Sequence, residues 1–215
     1  MGKMEISRMP ETLSETWPGQ FEIFSWIEFV TAIPQAISVI TTYKEGNIPN
    51  ACLQAWTFYS GDKDGYYVVF SVLKRTHTYG NILREKEFVV NFPSSDEFRR
   101  CMDTIRNNSE DTDEIAASGF TIDSSKIVNA PRIKECFLNL ECRLGWHKPL
   151  HTGSLHHVFA GEVVHVAVSD EKVKTGSNGR YGDNGYIYSI HSPINPATGE
   201  EETARVGKIE PMYYM

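Results

Sequence analysis

The run Tyr66-Tyr67-Val68-Val69-Phe70-Ser71-Val72-Leu73 constrains the fold more than any other segment. It is apolar or aromatic except at Ser71, and its valines are β-branched, so it reads as a strand covered on both faces. It falls well short of the ~20 residues that a membrane-crossing helix needs. A strand of this kind belongs inside a sheet, and the chain supplies neighbours. Ala36–Tyr43 is rich in β-branched residues, Glu45-Gly46-Asn47 marks a turn, and a return strand is expected near Asn50–Phe58. Ser60-Gly61-Asp62-Lys63-Asp64-Gly65 marks a second turn, and Phe88–Phe92 is a short strand stopped by Pro93. In Cys136–Leu144, the residues Leu138, Leu140, Cys142 and Leu144 share one face. Val158–Val168 follows, and Gly161 inside it marks a bulge or a close backbone approach.

Helical signals are fewer. Ser25 and Glu28 have capping-box spacing, Trp26, Phe29 and Val30 share a helical face, and Pro34 closes this short helix. Ser94 with Glu97 and Asp111 with Glu114 repeat the spacing, which predicts a helix over Phe98–Ile105 and another over Ile115–Ala117, with Gly119 as its C′ residue. Many strands, one helical insertion and no βαβ alternation argue for a mainly β fold, an antiparallel Greek-key-type barrel. No GxGxxG follows a strand, so a Rossmann site has no support. Residues 1–24 read as an irregular lead-in, 25–170 as the barrel domain, and 171–215 as a loop-rich tail packing on the barrel or a partner. In that tail Gly176, Gly179, Gly182 and Gly185 recur among polar residues.

Three segments could carry chemistry. The chain has a net charge of −7, from 21 Lys+Arg against 28 Asp+Glu, which disfavours nucleic-acid binding. Against that background Lys74-Arg75-Thr76-His77-Thr78-Tyr79 concentrates cations and hydroxyls just after the buried strand. Arginine forks onto phosphate oxygens and lysine acts as a point charge, although a solvated loop has the same composition. Asn50-Ala51-Cys52-Leu53-Gln54-Ala55-Trp56 offers small residues that let a flat ligand approach the backbone, or is an ordinary strand with a core Trp. His156 and His157 point to opposite faces of a strand, so they do not readily share a metal. No metal site is expected, since His147, His151, His156 and His157 lack helical ligand spacing and no CxxC pair exists among the 4 Cys. Free thiols, no membrane span and no apolar leader in Met1–Ile6 point to the cytoplasm.

The order of segments carries a resemblance. Pro34–Thr42 and then Gly46–Ala51 resemble the opening of the flavin reductase-like proteins, in their flavoredoxin-type branch, which have the FMN-binding split-barrel fold. Val69–Val72 followed by Thr76–Ile82 is similar to the family's strand and phosphate loop, Glu87–Pro93 to its next strand, and Glu141-Cys142 with His156–Val163 to its late strands. The resemblance covers about residues 30–170. A Pro-Pro pair common in the family before the buried strand is replaced here by Asp62-Lys63-Asp64-Gly65-Tyr66. The resemblance implies FMN as cofactor. Asn50, Ala51, Cys52 and Leu53 would line the isoalloxazine, and Ser71 and Val72 would run beneath it. Arg75, His77 and Thr78 would hold the phosphate with help from Lys74, and His156 would lie near the flavin or second substrate. It further implies a homodimer with FMN near the interface. The activity implied is an oxidoreductase that passes electrons from NAD(P)H through FMN to a flavin, iron or another acceptor. The alternatives are an electron carrier served by a redox protein, without a pyridine-nucleotide site, and a cofactor-free barrel.

Overall fold

The computed structural model describes residues 2–174 and 179–212. The chain forms two compact units, one of Met1–Gln35 with Tyr188–Gly207 and one of Ala36–Ile187 with Lys208–Met215. In the first, the short helices α1 (Gln20–Ile23) and α2 (Trp26–Thr31) pack Phe29 against Leu13 and Ile194. Ser25 caps α2 by accepting from the Ile27 N–H, as its position before the apolar run predicts.

The second unit is built on seven strands: β1 (Ser38–Tyr43), β2 (Pro49–Gln54), β3 (Thr57–Asp62), β4 (Gly65–Leu73), β5 (Glu87–Phe92), β6 (Leu138–Pro149) and β7 (His156–Val168). They form one antiparallel sheet in the order β2-β1-β5-β6-β7-β4-β3. The ends of this order are consecutive in sequence, and the barrel is split between them. Gln54 spans the split: its Nε2 donates to the Ser71 carbonyl at 2.7 Å, and the Ser71 N–H donates to the Trp56 carbonyl at 3.2 Å. Ile40, Val68, Phe70, Val72, Phe88, Val90, Leu140, Cys142 and Phe159 fill the interior. Val39 and Ala51, of opposite parity, face outward and are covered by Cys101 of α4 (Phe98–Arg106) and Ile115 of α5 (Glu114–Ala117). The fully buried Asn91 joins three strands of this wall, donating to the Val39 carbonyl and accepting from the Ile133 N–H and Asn139 Nδ2, each at 2.9 Å. Among the described residues no helix is long and apolar enough to cross a membrane.

Local differences from the sequence reading have physical causes. The segment after β4 is not a loop. It is α3 (His77–Glu85), with Thr76 as N-cap accepting from the Tyr79 N–H. Thr78, Tyr79, Gly80 and Asn81 are poor helix formers, so propensity hides this helix, while burial of Ile82 in the barrel supports it. Between α3 and α4 the Ser94 side chain caps nothing, because a 3₁₀ turn over Ser95–Glu97 precedes α4. Asp113 rather than Asp111 caps α5, and Gly119 ends it at φ 78°. The second turn cluster is largely strand, a tight hairpin turning at Lys63-Asp64, where a Cβ on Gly61 would meet the Gly65 carbonyl oxygen at 2.3 Å. The tail holds strands at Ile187–His191 and Arg205–Lys208 beyond a helix at Asp170–Lys174. Gly176 lies outside the described residues, and Tyr186 packs edge-on against Phe92 and Phe137.

Candidate functional site

The β4–α3 junction brings most of the expected site residues together. Lys74 and Arg75 form the turn between them, are exposed, and make no ion pair with any described residue. Thr76 then caps the nine-residue helix α3, so the partial positive charge of its N-terminus stands beside both cations. Thr78, in the first turn, is buried and its Oγ1 accepts from Asn50 Nδ2 at 3.0 Å. Asn50 also donates to Thr42 Oγ1 at 3.1 Å, which ties β1, β2 and α3 into one polar knot inside the barrel. Its amide is thereby committed to the protein. The Ala51 N–H is committed too, donating to Glu114 Oε2 at 2.9 Å. Cys52 and Leu53 remain half-buried on the same strand.

His77 stands between two carboxylates. Its Nδ1 lies 3.4 Å from Glu114 Oε1 and its Nε2 lies 3.2 Å from Glu110 Oε1. Glu114 is buried and pairs with the equally buried Lys44 at 2.9 Å. Burying both charges is tolerable only because each finds several partners. Glu114, Glu110 and Lys44 were not among the expected site residues. Glu114 was visible only as part of a capping spacing, and nothing local links it to Lys44, 70 positions earlier.

A second group gathers where Gln54 spans the split. His156 Nδ1 is 3.4 Å from Ser71 Oγ, and the His156 ring meets Trp56 edge-on at 5.2 Å. Val72 points the other way, into the core. His157, also of opposite parity, stands 3.4 Å from Tyr79 Oη and stacks against His147. The alternation of adjacent strand residues is thus realised in both pairs. Burial, with Lys74 and His147 nearby, lowers the His157 pKa. No group of three metal-ligating side chains occurs among the described residues.

All four cysteines are free. Burial pushes the Cys52 thiol up to about 11, against a smaller opposing hydrogen bond from Thr78, with the Glu114 charge adding to the rise. Burial likewise pushes Cys101 up to about 12 and holds Cys136 and Cys142 well above the usual range. A reactive thiolate at Cys52 is therefore disfavoured, because burial outweighs the hydrogen bond that favours the charged form. A thiol-specific chromogenic disulfide at pH 7.5 should label the native protein far more slowly than the urea-unfolded chain, which should release four equivalents. Rapid labelling of native Cys52 would contradict this.

Comparison with known proteins gives a consistent picture. The sequence model of the family described as "flavin reductase like domain" matches residues 30–185. An uncharacterized protein of Aquifex aeolicus is 30% identical over 155 residues, covering 69% of this chain and 76% of its own. Among solved structures, nitrilotriacetate monooxygenase component B from Bacillus cereus superposes with a TM-score of 0.73 at 17% identity, covering 100% of both chains. The flavoredoxin of Methanosarcina acetivorans superposes with a TM-score of 0.66 at 18% identity, covering 94% of this chain and 95% of its own. That of Desulfovibrio vulgaris (Miyazaki F) gives a TM-score of 0.64 at 19% identity, covering 85% and 90%. With the split seven-stranded barrel and a family match that spans β1 to β7, the chain belongs to the flavin reductase-like family.

Proposed function

We propose that the protein binds FMN and is an oxidoreductase that takes electrons from NAD(P)H through the flavin to a second flavin, iron or another acceptor. The observation that carries this reading is the pair of exposed cations, Lys74 and Arg75, set directly before a capped helix N-terminus. A phosphate monoester there would meet two positive side chains and the N-terminal end of α3. The neighbouring Cys52 is half-buried and uncharged, since burial keeps the thiol protonated, and suits one side of a planar ring, whereas the Leu53 side chain lies on the opposite face of the strand with Val39 and Ala51. The residues present thus fit a phosphorylated flavin. When bound, FMN supplies the reversible uptake of two electrons.

The side chains bind and orient. Arg75 forks onto phosphate oxygens, Lys74 adds a point charge, and Thr78 holds the first turn of α3 to β2 through Asn50. His156, fixed by Ser71 and Trp56, is the imidazole assigned beside the flavin or the second substrate. The outer side of the sheet supports a homodimer. Phe58, 61% exposed on β3, pairs with Val69 on β4, and Trp146 on β6 is also exposed. Light scattering should return twice the chain mass.

Arg75→Ala should weaken FMN binding about tenfold, a loss of about 1.4 kcal/mol, and leave riboflavin binding unchanged, because riboflavin lacks the phosphate. Fluorescence titration reads both constants, and equal FMN affinity in wild type and variant would overturn the phosphate assignment. Anaerobic NADH and NADPH should bleach the flavin absorbance. Persistence of the oxidised spectrum with both donors would replace the reductase by an electron carrier served by a redox protein.

A further inference from the structure

A closed ring of contacts surrounds the first turn of α3. Lys44 Nζ lies 2.9 Å from Glu114 Oε1 and donates to the carbonyls of Ser109 at 2.5 Å and Thr112 at 2.8 Å. These carbonyls flank Glu110, so one buried ammonium pins the loop on both sides of that residue. Glu110 Oε1 reaches His77 Nε2, and His77 Nδ1 faces Glu114, which returns the ring to Lys44. The two ends of the ring differ sharply in burial. The Lys44 and Glu114 side chains are 3% and 2% exposed, whereas Glu110 is 82% exposed. Glu114 is already neutralised by Lys44. Each ring nitrogen of His77 faces one carboxylate, and the one at Nε2 belongs to the exposed Glu110, the mobile partner of the pair. His77 sits two residues from Arg75, at the same helix N-terminus.

We propose that Glu110 is a resident anion at the phosphate position. Its carboxylate and the phosphate of an incoming flavin mononucleotide compete for the Nε2–H of His77, and this competition sets how strongly the site prefers a phosphorylated flavin. The assignment rests on the flavin reading above. A phosphate and a carboxylate cannot share one N–H donor, and their like charges repel at close range. A polar contact whose carboxylate is as exposed as that of Glu110 is weak, so the side chain leaves at little cost. The loop backbone stays pinned by Lys44, and the carboxylate returns when the ligand departs.

The test titrates FMN and riboflavin into wild type, Glu110→Gln, His77→Gln, the double variant and Arg75→Ala by flavin fluorescence, at low and physiological ionic strength. Glu110→Gln should tighten FMN binding about three- to fivefold and leave riboflavin binding unchanged. The gain should shrink as salt rises and vanish when His77 is also Gln. Unchanged or weaker FMN binding in Glu110→Gln, alongside a loss in Arg75→Ala, would overturn the role of Glu110 while leaving the phosphate site standing. Equal gains for FMN and riboflavin, or a gain that survives His77→Gln, would also overturn it. Unchanged FMN affinity in Arg75→Ala would instead remove the phosphate site itself.

Discussion

Glu141→Ala should destabilise the fold by about 3–5 kcal/mol, because it strands several donors around one buried acceptor. Glu141 lies on β6 with its side chain inaccessible to solvent. It accepts from the backbone N–H groups of Lys126 at 2.8 Å, Ile127 at 2.7 Å and Val128 at 3.2 Å, and Arg132 Nη1 stands 3.6 Å away. These bonds hold the 126–128 segment, which brings Val128 onto Val89. Urea unfolding should show the loss as a lower midpoint with an unchanged slope. The pH dependence has a definite sign. Burial alone raises the Glu141 pKa, but the three backbone donors, with His165 nearby, outweigh it and the net shift is downward. A carboxyl held below its unfolded value contributes fully above the ordinary carboxylate range and loses that contribution as pH falls through the folded value. Glu141→Gln should therefore be less stable than wild type at neutral pH and converge on it as pH falls from the ordinary carboxylate range through the lower folded value. Parallel stability curves across that window would refute the account.

The second large effect is expected at Gly161. A Cβ there would stand 2.3 Å from Cζ and 2.7 Å from Cε1 of Phe88, and 3.3 Å from the Cys142 Cβ. Phe88 is fully buried against Phe70, so its ring has nowhere to move. Gly161→Ala should cost about 2–4 kcal/mol, read as a Tm lower by roughly 5–12 °C for a chain of this size. Gly145→Ala is the control, since its nearest contacts would be at 3.4 Å and 3.8 Å, and it should cost much less. Combining Gly161→Ala with Phe88→Leu should recover part of the loss by vacating the ring edge. Equal stability of the two alanine variants would show that β7 shifts freely past β5.

These two sites differ in how far sequence anticipates them. Gly161 announces itself as a glycine inside an apolar strand, and the structure supplies both readings, a register shift at Ala160/Gly161 and the close approach to Phe88. Glu141 shows only as a polar residue between Leu140 and Cys142, which are core residues of the same strand. That it faces away from the barrel follows from alternation. That three amides of a distant loop converge on it does not. The candidate site divides the same way. The cations at 74 and 75 and the hydroxyl at 76 are local features of a strand end, readable as an anion site. The helix they precede was hidden, because its sequence is unfavourable and its support comes from packing of Ile82. The commitment of Asn50 and of the Ala51 amide to Thr78 and Glu114 was hidden as well.

Strand parity, caps and turns are rules between near neighbours in the chain, and they set the mainly β class and the opposite facing of His156 and His157 before any tertiary contact forms. The strand Gly65–Leu73, by contrast, was expected to be covered on both faces, but it buries Val68, Phe70 and Val72 on one face and leaves Tyr66 and Tyr67 exposed. Polar partnerships obey no such local rule. Lys44 finds Glu114, Gln54 finds Ser71 and Asn91 finds Asn139 because the pairing of seven strands delivers them to the same place. Strand register is chosen by the apolar surface buried along whole strands, and each buried polar group then takes the partner that this register leaves within reach. The charge ring around His77 is a product of that second step, which is why it exists only in the folded molecule.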